Sequence, residues 1–181
     1  MTEPKRNDIY WANLEPVQGS EQGGSRPVLI VSNNLMNKFN SVVLAVPMTR
    51  KGEKVKAGPF NVPYPISDVE VDKEVVAQLA TSGHYFEEID GVVLCNQARA
   101  ISKKRLVGRI GNFKTRDTLK RVELAIIDAF GLHACIHCDI PLRPNALSCP
   151  QCGSLYRKKC ASCGKISSIE SRFCSNCGGR I

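Results

Sequence analysis

The sequence predicts a mainly β protein in two parts: a small β-barrel with one helix packed on it, then a short cysteine-rich module. Three observations carry this. Residues 1–131 hold several short apolar runs punctuated by Gly, Pro, Asn and Asp, the pattern of short strands joined by turns. A single long helical period runs from Arg116 to Phe130. Eight of the nine cysteines fall after residue 131, in four Cys-x-x-Cys pairs. With 181 residues, 43% hydrophobic and 23% charged, the chain reads as soluble and globular. Its first ~130 residues can bury roughly two-thirds of their surface, enough for a core. The last ~50 cannot and need another source of stability.

Asp8-Ile9-Tyr10-Trp11-Ala12-Asn13-Leu14 is aromatic and β-branched and predicts the first strand. Gly19-Ser20-Glu21-Gln22-Gly23-Gly24-Ser25-Arg26-Pro27 is a polar, glycine-rich loop that becomes an apolar strand at Val28. Pro27 removes a ladder donor and suits the first residue of that strand. It also pushes Arg26 into an extended conformation. Gly23 and Gly24 let another backbone or a phosphate come close.

Leu35 to Ser41 reads as a polar turn or short helical piece, and Val42 to Met48 as a buried strand. Arg50 to Gly58 is a charged loop. The prolines at 59, 63 and 65 leave Phe60 to Val62 an edge strand at best. Ile66 to Ala80 mixes acidic and apolar residues without a clean period and reads as loop plus a short strand. Asp90-Gly91 is a turn before the strand Val92 to Leu94, and Lys103 to Ile110 reads as a basic strand or extended edge. Thr115 is the expected cap of a helix over Arg116 to Phe130, with Leu119, Val122, Ile126, Ile127 and Phe130 on one face. Gly131 is its expected left-handed stop.

The run Asp8 to Leu14, followed by Gly-Ser-Glu-Gln-Gly-Gly-x-Arg-Pro-Val-Leu-Ile-Val-Ser-Asn, resembles the MazF/PemK toxins, the messenger-RNA interferases of toxin–antitoxin pairs. Val46-Pro47-Met48-Thr49 and Gly91-Val92-Val93-Leu94-Cys95-Asn96-Gln97-Ala98-Arg99-Ala100-Ile101 extend the match over roughly residues 5–131. The resemblance implies an SH3-like barrel, a homodimer, a cognate antitoxin protein and cleavage of single-stranded RNA without a catalytic metal. In that chemistry a ribose 2′-hydroxyl attacks the adjacent phosphorus, a step needing proton transfer and a cation to stabilise the phosphorane. Arg26 and Thr49 match the family's catalytic arginine and threonine, and Glu21 a loop glutamate that positions the site. Gln22, Gly23, Gln97 and Arg99 are the implied RNA contacts. Asn7 stands where the family commonly has Gly before the Asp, and Asn tolerates left-handed turns.

An arginine stays protonated in ordinary sites, so charge stabilisation and leaving-group assistance suit Arg26 better than general base. Lys103, Lys104, Arg105 and Arg109 either track a phosphate backbone or form a solvated edge. Cys95 reads as a small buried hydrophobe. A different use of the same barrel is a non-catalytic binder, either a CcdB-like toxin that targets a protein or an RNA-binding module.

Residues 132–181 are an internal duplication. Cys135, Cys138, Cys149 and Cys152 map onto Cys160, Cys163, Cys174 and Cys177 at a constant offset of 25. The pattern favours thiolate metal sites over disulfides in a chain without a secretory segment, and it resembles a double zinc ribbon holding two structural zinc ions. Spacing alone leaves open whether ligands are shared between copies. His137, inside the first pair, is expected to stay out of a shell already filled by four thiolates. The whole chain carries a formal charge of +8. The tail has seven Lys and Arg against two Asp and Glu, but two zinc tetrathiolates reduce its charge to about +1. Tyr156 and Arg157-Lys158-Lys159 between the ribbons read either as a contact patch or as a plain solvated linker. No apolar run approaches ~18 residues, and the first residues lack a secretory apolar core, which points to the cytoplasm and away from membranes.

Overall fold

The computed structural model describes residues 3–52, 58–143 and 146–181. The chain divides into two compact units, Met1–Phe130 and Gly131–Ile181. No helix among the described residues is long and apolar enough to cross a membrane.

The first unit is one curled antiparallel sheet, a half-barrel, with helices packed on it. Its elements are β1 (Asp8–Asn13), β2 (Ser25–Ile30), α1 (Asn34–Phe39), β3 (Val42–Arg50), β4 (Asn61–Tyr64), β5 (Val69–Val71), α2 (Lys73–Thr81), β6 (Gly91–Leu94), β7 (Arg99–Ser102), β8 (Leu106–Phe113) and α3 (Arg116–Ala129). The strand order is β4-β6-β3-β2-β1-β8-β5, with β7 also paired to β3. β4 lies at a sheet edge, as expected, but it starts at Asn61 and runs through Pro63 to Tyr64, with Pro63 opposite Val92; at an edge a missing N–H costs least. β1 is central and buried on both faces. Ile9 and Trp11 join the core with Leu29, Val46, Val93 and Ile110. Tyr10 and Ala12 point to the other, with Val28, Ile30, Val43 and Ile101, as the two-residue period of a strand requires.

β3 is the corner of the half-barrel. It pairs with β7 over Val42–Ala45 and with β6 over Met48–Arg50. Pro47 lies between the two ladders, where no donor is needed. On its other side β3 joins β2 only at Val28, Leu29 and Ile30. This leaves Ser25, Arg26 and Pro27 paired to β1 alone.

Several expectations are corrected. The second strand begins at Ser25, so Pro27 lies inside it opposite Trp11; it is accommodated because β3 has not yet joined. Ile66 to Ala80 contains β5 and also the nine-residue helix α2. The Asp72 side chain caps α2 by accepting from the Val75 N–H at 3.2 Å. Lys103–Arg105 is a 3-10 turn, and the strand runs from Leu106. Arg99–Ser102 is a strand that no apolar run announced. Thr115 makes no side-chain cap to α3. Its backbone N–H and its hydroxyl donate instead to the two carboxylate oxygens of buried Asp68, at 3.0 and 2.9 Å. On α3, Val122 is buried and Leu119 and Ile126 pack on the core, but Phe130 is 59% exposed. Gly131 does adopt the left-handed conformation, as does Asn7. Residues 53–57 of the charged loop lie outside the described residues.

The second unit repeats itself at the level of backbone hydrogen bonds. Cys135 N–H donates to Ile140 C=O, Asp139 to Cys135, Cys149 to Ser154 and Gly153 to Cys149. The same four bonds recur 25 residues later, from Cys160 to Lys165, Gly164 to Cys160, Cys174 to Gly179 and Gly178 to Cys174. The Ala134–Pro141 bridge of the first copy becomes the hairpin of β9 (Arg157–Lys159) and β10 (Ile166–Ser168) in the second.

Candidate active site and metal centres

Arg26 sits on the stretch of β2 that β3 leaves free, and its side chain is fixed from the loop. Its Nε donates to Gly23 C=O and its Nη1 to Gln22 Oε1, both at 2.6 Å. It is half-buried. Burial lowers its pKa from the ordinary arginine value, with nearby Glu15 acting in the opposite sense. The group remains a cation, partly stripped of water and held in one orientation, which strengthens its pull on an anion.

The loop is braced by a second network. Gln22 N–H donates to Gln97 Oε1 at 3.4 Å. Arg99 donates to Glu21 Oε2 at 3.1 Å and to Leu14 C=O at 2.8 Å. Glu15 accepts from Gly24 N–H at 2.6 Å. A Cβ on Gly23 would collide with the Glu15 carboxylate and Val17, so the loop's closeness depends on that glycine. Gln22, Gly23, Gln97 and Arg99 therefore form one assembly beside Arg26. Glu21 is not at the guanidinium; its contacts are Arg99 and the Gln18 N–H.

Arg26 and Thr49 line one cleft of about 260 Å³ with Trp11, Ser25, Met48 and Arg50. Thr49 reaches it because β3 continues past Met48, pairing Thr49 with Val92. The sequence reading missed the opposite wall: Tyr64, Tyr85, Phe86, Glu87 and Ile89. The residues between α2 and β6 supply most of it, and the adjacent aromatics Tyr85-Phe86 were its one visible signal. Tyr85 is 71% exposed. Glu87 pairs with Arg50 at 3.0 Å, and the His84 ring packs on Trp11 with centroids 5.9 Å apart. Burial, with a contribution from Asp90, raises Tyr64 to about 12, so its hydroxyl keeps its proton.

Three of the four basic residues considered for phosphate tracking are engaged within the protein. Lys103 bonds Glu3 at 2.7 Å, Arg105 the Glu15 carbonyl at 2.5 Å, and Arg109 the buried Asp8 carboxylate at 2.8 Å. Cys95 is fully buried, and burial raises its thiol to about 12; it packs as a hydrophobe.

In the second unit the cysteines gather into two tetrads, Cys135/Cys138/Cys149/Cys152 and Cys160/Cys163/Cys174/Cys177. Each is drawn from one copy, with all sulfurs within 4.8 Å of one another. The ligand sets are thus not mixed between copies. The nearest sulfur pairs lie 3.5–3.6 Å apart, close to the ~3.8 Å edge of a tetrahedron with 2.3 Å Zn–S bonds. The donor chemistry and spacing fit zinc. His137 is exposed and outside the tetrad. Tyr156 is not an outward contact residue. Its hydroxyl donates to Cys135 Sγ at 3.1 Å and accepts from Ile136 N–H at 2.8 Å.

A mainly β half-barrel with a loop-held arginine in a cleft, followed by two cysteine tetrads, defines the class: a compact β domain with a cysteine-knuckle appendage. By its match to the PemK-like, MazF-like toxins of type II toxin–antitoxin systems over residues 5–130, the chain belongs to that family of endoribonuclease toxins. Residues 135–178 match the double zinc ribbon. Endoribonuclease EndoA of Bacillus subtilis is 35% identical over 129 residues, covering 68% of this chain and 97% of that protein. Among solved structures, MazF from Deinococcus radiodurans shares the fold. Its TM-score is 0.54 at 23% identity, covering 72% of this chain and 99% of that one. An endoribonuclease from a mycobacterial species, solved in complex with its cognate antitoxin, is 25% identical. Its TM-score is 0.51, with 71% of this chain and 96% of that chain covered.

Proposed function

We propose that residues 1–131 form a metal-independent endoribonuclease that cuts single-stranded RNA, and that residues 132–181 form a double zinc ribbon holding two structural zinc ions. The observation that carries the first half is the meeting of Arg26 and Thr49 on one cleft, with Arg26 fixed by Gln22 and Gly23. In the reaction the ribose 2′-hydroxyl loses its proton and the O2′–P bond forms. The P–O5′ bond then breaks and O5′ takes up a proton, leaving a cyclic phosphate and a 5′-hydroxyl. Arg26 stabilises the charge that gathers on the phosphorane oxygens and assists the departing O5′. Thr49 donates a hydroxyl hydrogen bond to the phosphate. Glu21 acts at one remove, holding Arg99 and the loop, while Gln22, Gly23, Gln97 and Arg99 face the RNA strand. In this reading the protein works in the cytoplasm as a homodimer, and a cognate antitoxin, such as the one bound to the mycobacterial endoribonuclease, neutralises it. Zinc supplies folding free energy to the tail and takes no part in the chemistry.

The test is to incubate the full-length, zinc-loaded protein with a long single-stranded RNA and map the ends. Cleavage leaving cyclic phosphate and 5′-hydroxyl is expected, with Arg26→Ala lowering the rate ~10²-fold or more at unchanged fold. Undiminished cleavage by that variant and by Thr49→Ala removes the site assignment. No cleavage by the parent chain would turn the barrel into a non-catalytic binder.

A further inference from the structure

The two ribbons share one backbone but not one surface. Hydrogen bonds recurring at an offset of 25 make their positions equivalent pair by pair. Residues 157–181 contain six Lys and Arg against one acidic residue, whereas residues 132–156 contain one of each. All six basic residues stand where the first copy is uncharged. Arg157, Lys158 and Lys159 replace Leu132, His133 and Ala134, while Lys165, Arg172 and Arg180 replace Ile140, Leu147 and Leu155. The first copy is an internal control: it forms the same turns and tetrad, and a single bridge where the second has its hairpin, with none of these charges, so the knuckles and tetrad do not require them. After a zinc tetrathiolate removes two charges, the second ribbon keeps about +3 and the first about −2.

Four of these charges are available at the surface. Lys159, Lys165, Arg172 and Arg180 are exposed, and among the described residues none of the four is in an ion pair. Lys158 is half-buried and donates to Ser171 C=O at 3.5 Å. Lys159 pairs with Ile166 across the β9–β10 hairpin, and its aliphatic stem lies against Gly164 of the knuckle. The second ribbon thus presents Lys159, Lys165, Arg172 and Arg180 at its surface with no ion-pair partner among the described residues.

We propose that the second ribbon is a binding surface for the phosphate backbone of RNA, separate from the cleft that holds Arg26. The choice of RNA over another polyanion rests on the ribonuclease reading above. The surface grips by charge, without reading bases, so it gives affinity and salt dependence but no sequence preference.

The experiment uses the full-length, zinc-loaded chain carrying Arg26→Ala, so binding is read whether or not the parent cleaves. Its affinity for a single-stranded RNA of about 30 nucleotides is measured by fluorescence anisotropy over a range of salt. Replacing Lys159, Lys165, Arg172 and Arg180 by Gln is expected to flatten the slope of log K against log salt by ~3. Affinity should weaken at least ~10-fold at low salt, with zinc content unchanged. An unchanged slope in a zinc-replete variant overturns the proposal. So does a poly-glutamate peptide that competes as well as RNA, since the site would then be one for acidic proteins. Should the four-Gln variant lose zinc, the reverse variant decides. Leu147→Arg with Leu155→Arg, carrying the second copy's residues into the first, must steepen the slope by ~1 or the positional argument fails.

Discussion

Gly111 shows how far one missing side chain can govern the sheet. It pairs with Ile9 on one side and Val71 on the other, and a Cβ there would overlap the Glu70 carbonyl of β5. Backbone cannot swing aside as a side chain tip can. Gly111→Ala should therefore destabilise the first unit by about 1–3 kcal/mol. The denaturant midpoint should fall at constant slope; an unmoved midpoint would show that β5 yields freely. Tyr64 and Cys95 set a limit at alkaline pH. Both have folded pKa values raised to about 12 by burial, so the folded state favours their neutral forms. Their stabilising effect is complete below their ordinary values and is lost as pH climbs toward 12. Thermal melts should accordingly fall steeply above about pH 10, less so in Tyr64→Phe; a variant with the parent's alkaline limb would assign the fall elsewhere.

Elements differ in how openly the sequence announces them, and burial is the reason. β1, β3 and β6 were legible as apolar runs because they lie deep in the sheet. β7 was not, since its four residues, Arg99 to Ser102, bury only Ile101. α2 fully buries only Leu79, with Val75 and Val76 half-buried beside it on the same core-facing side, so three apolar positions and the cap Asp72 were its signs in a stretch otherwise mixed with acidic residues. The start of α3 at Arg116, with Thr115 in the cap position, was legible; the partner of Thr115 was not. Thr115 has the right chemistry for a cap, but Asp68, 47 residues away, takes both its donors. Arg26 and Thr49 were legible together through a motif in register. The facing wall, Tyr85 to Ile89, was not, because it comes from irregular chain placed by tertiary contacts.

At the scale of the molecule, each unit draws its stability from a different source. The first has an apolar core. The second buries chiefly its cysteines Cys135, Cys149, Cys160 and Cys174, and structural zinc supplies on the order of 10–16 kcal/mol in such modules. A chelator should melt residues 132–181 and release about two zinc ions per chain, while the half-barrel stays folded and still cuts a short oligonucleotide. Loss of that cutting on chelation would place the metal in the chemistry.

The closure of each tetrad within its own copy makes the tail fault-tolerant. Damage to one knuckle has no route through a shared ligand to the other ion. Cys160→Ser is then expected to open the second tetrad alone and leave the first, with Tyr156 still donating to Cys135, able to close around a metal of its own.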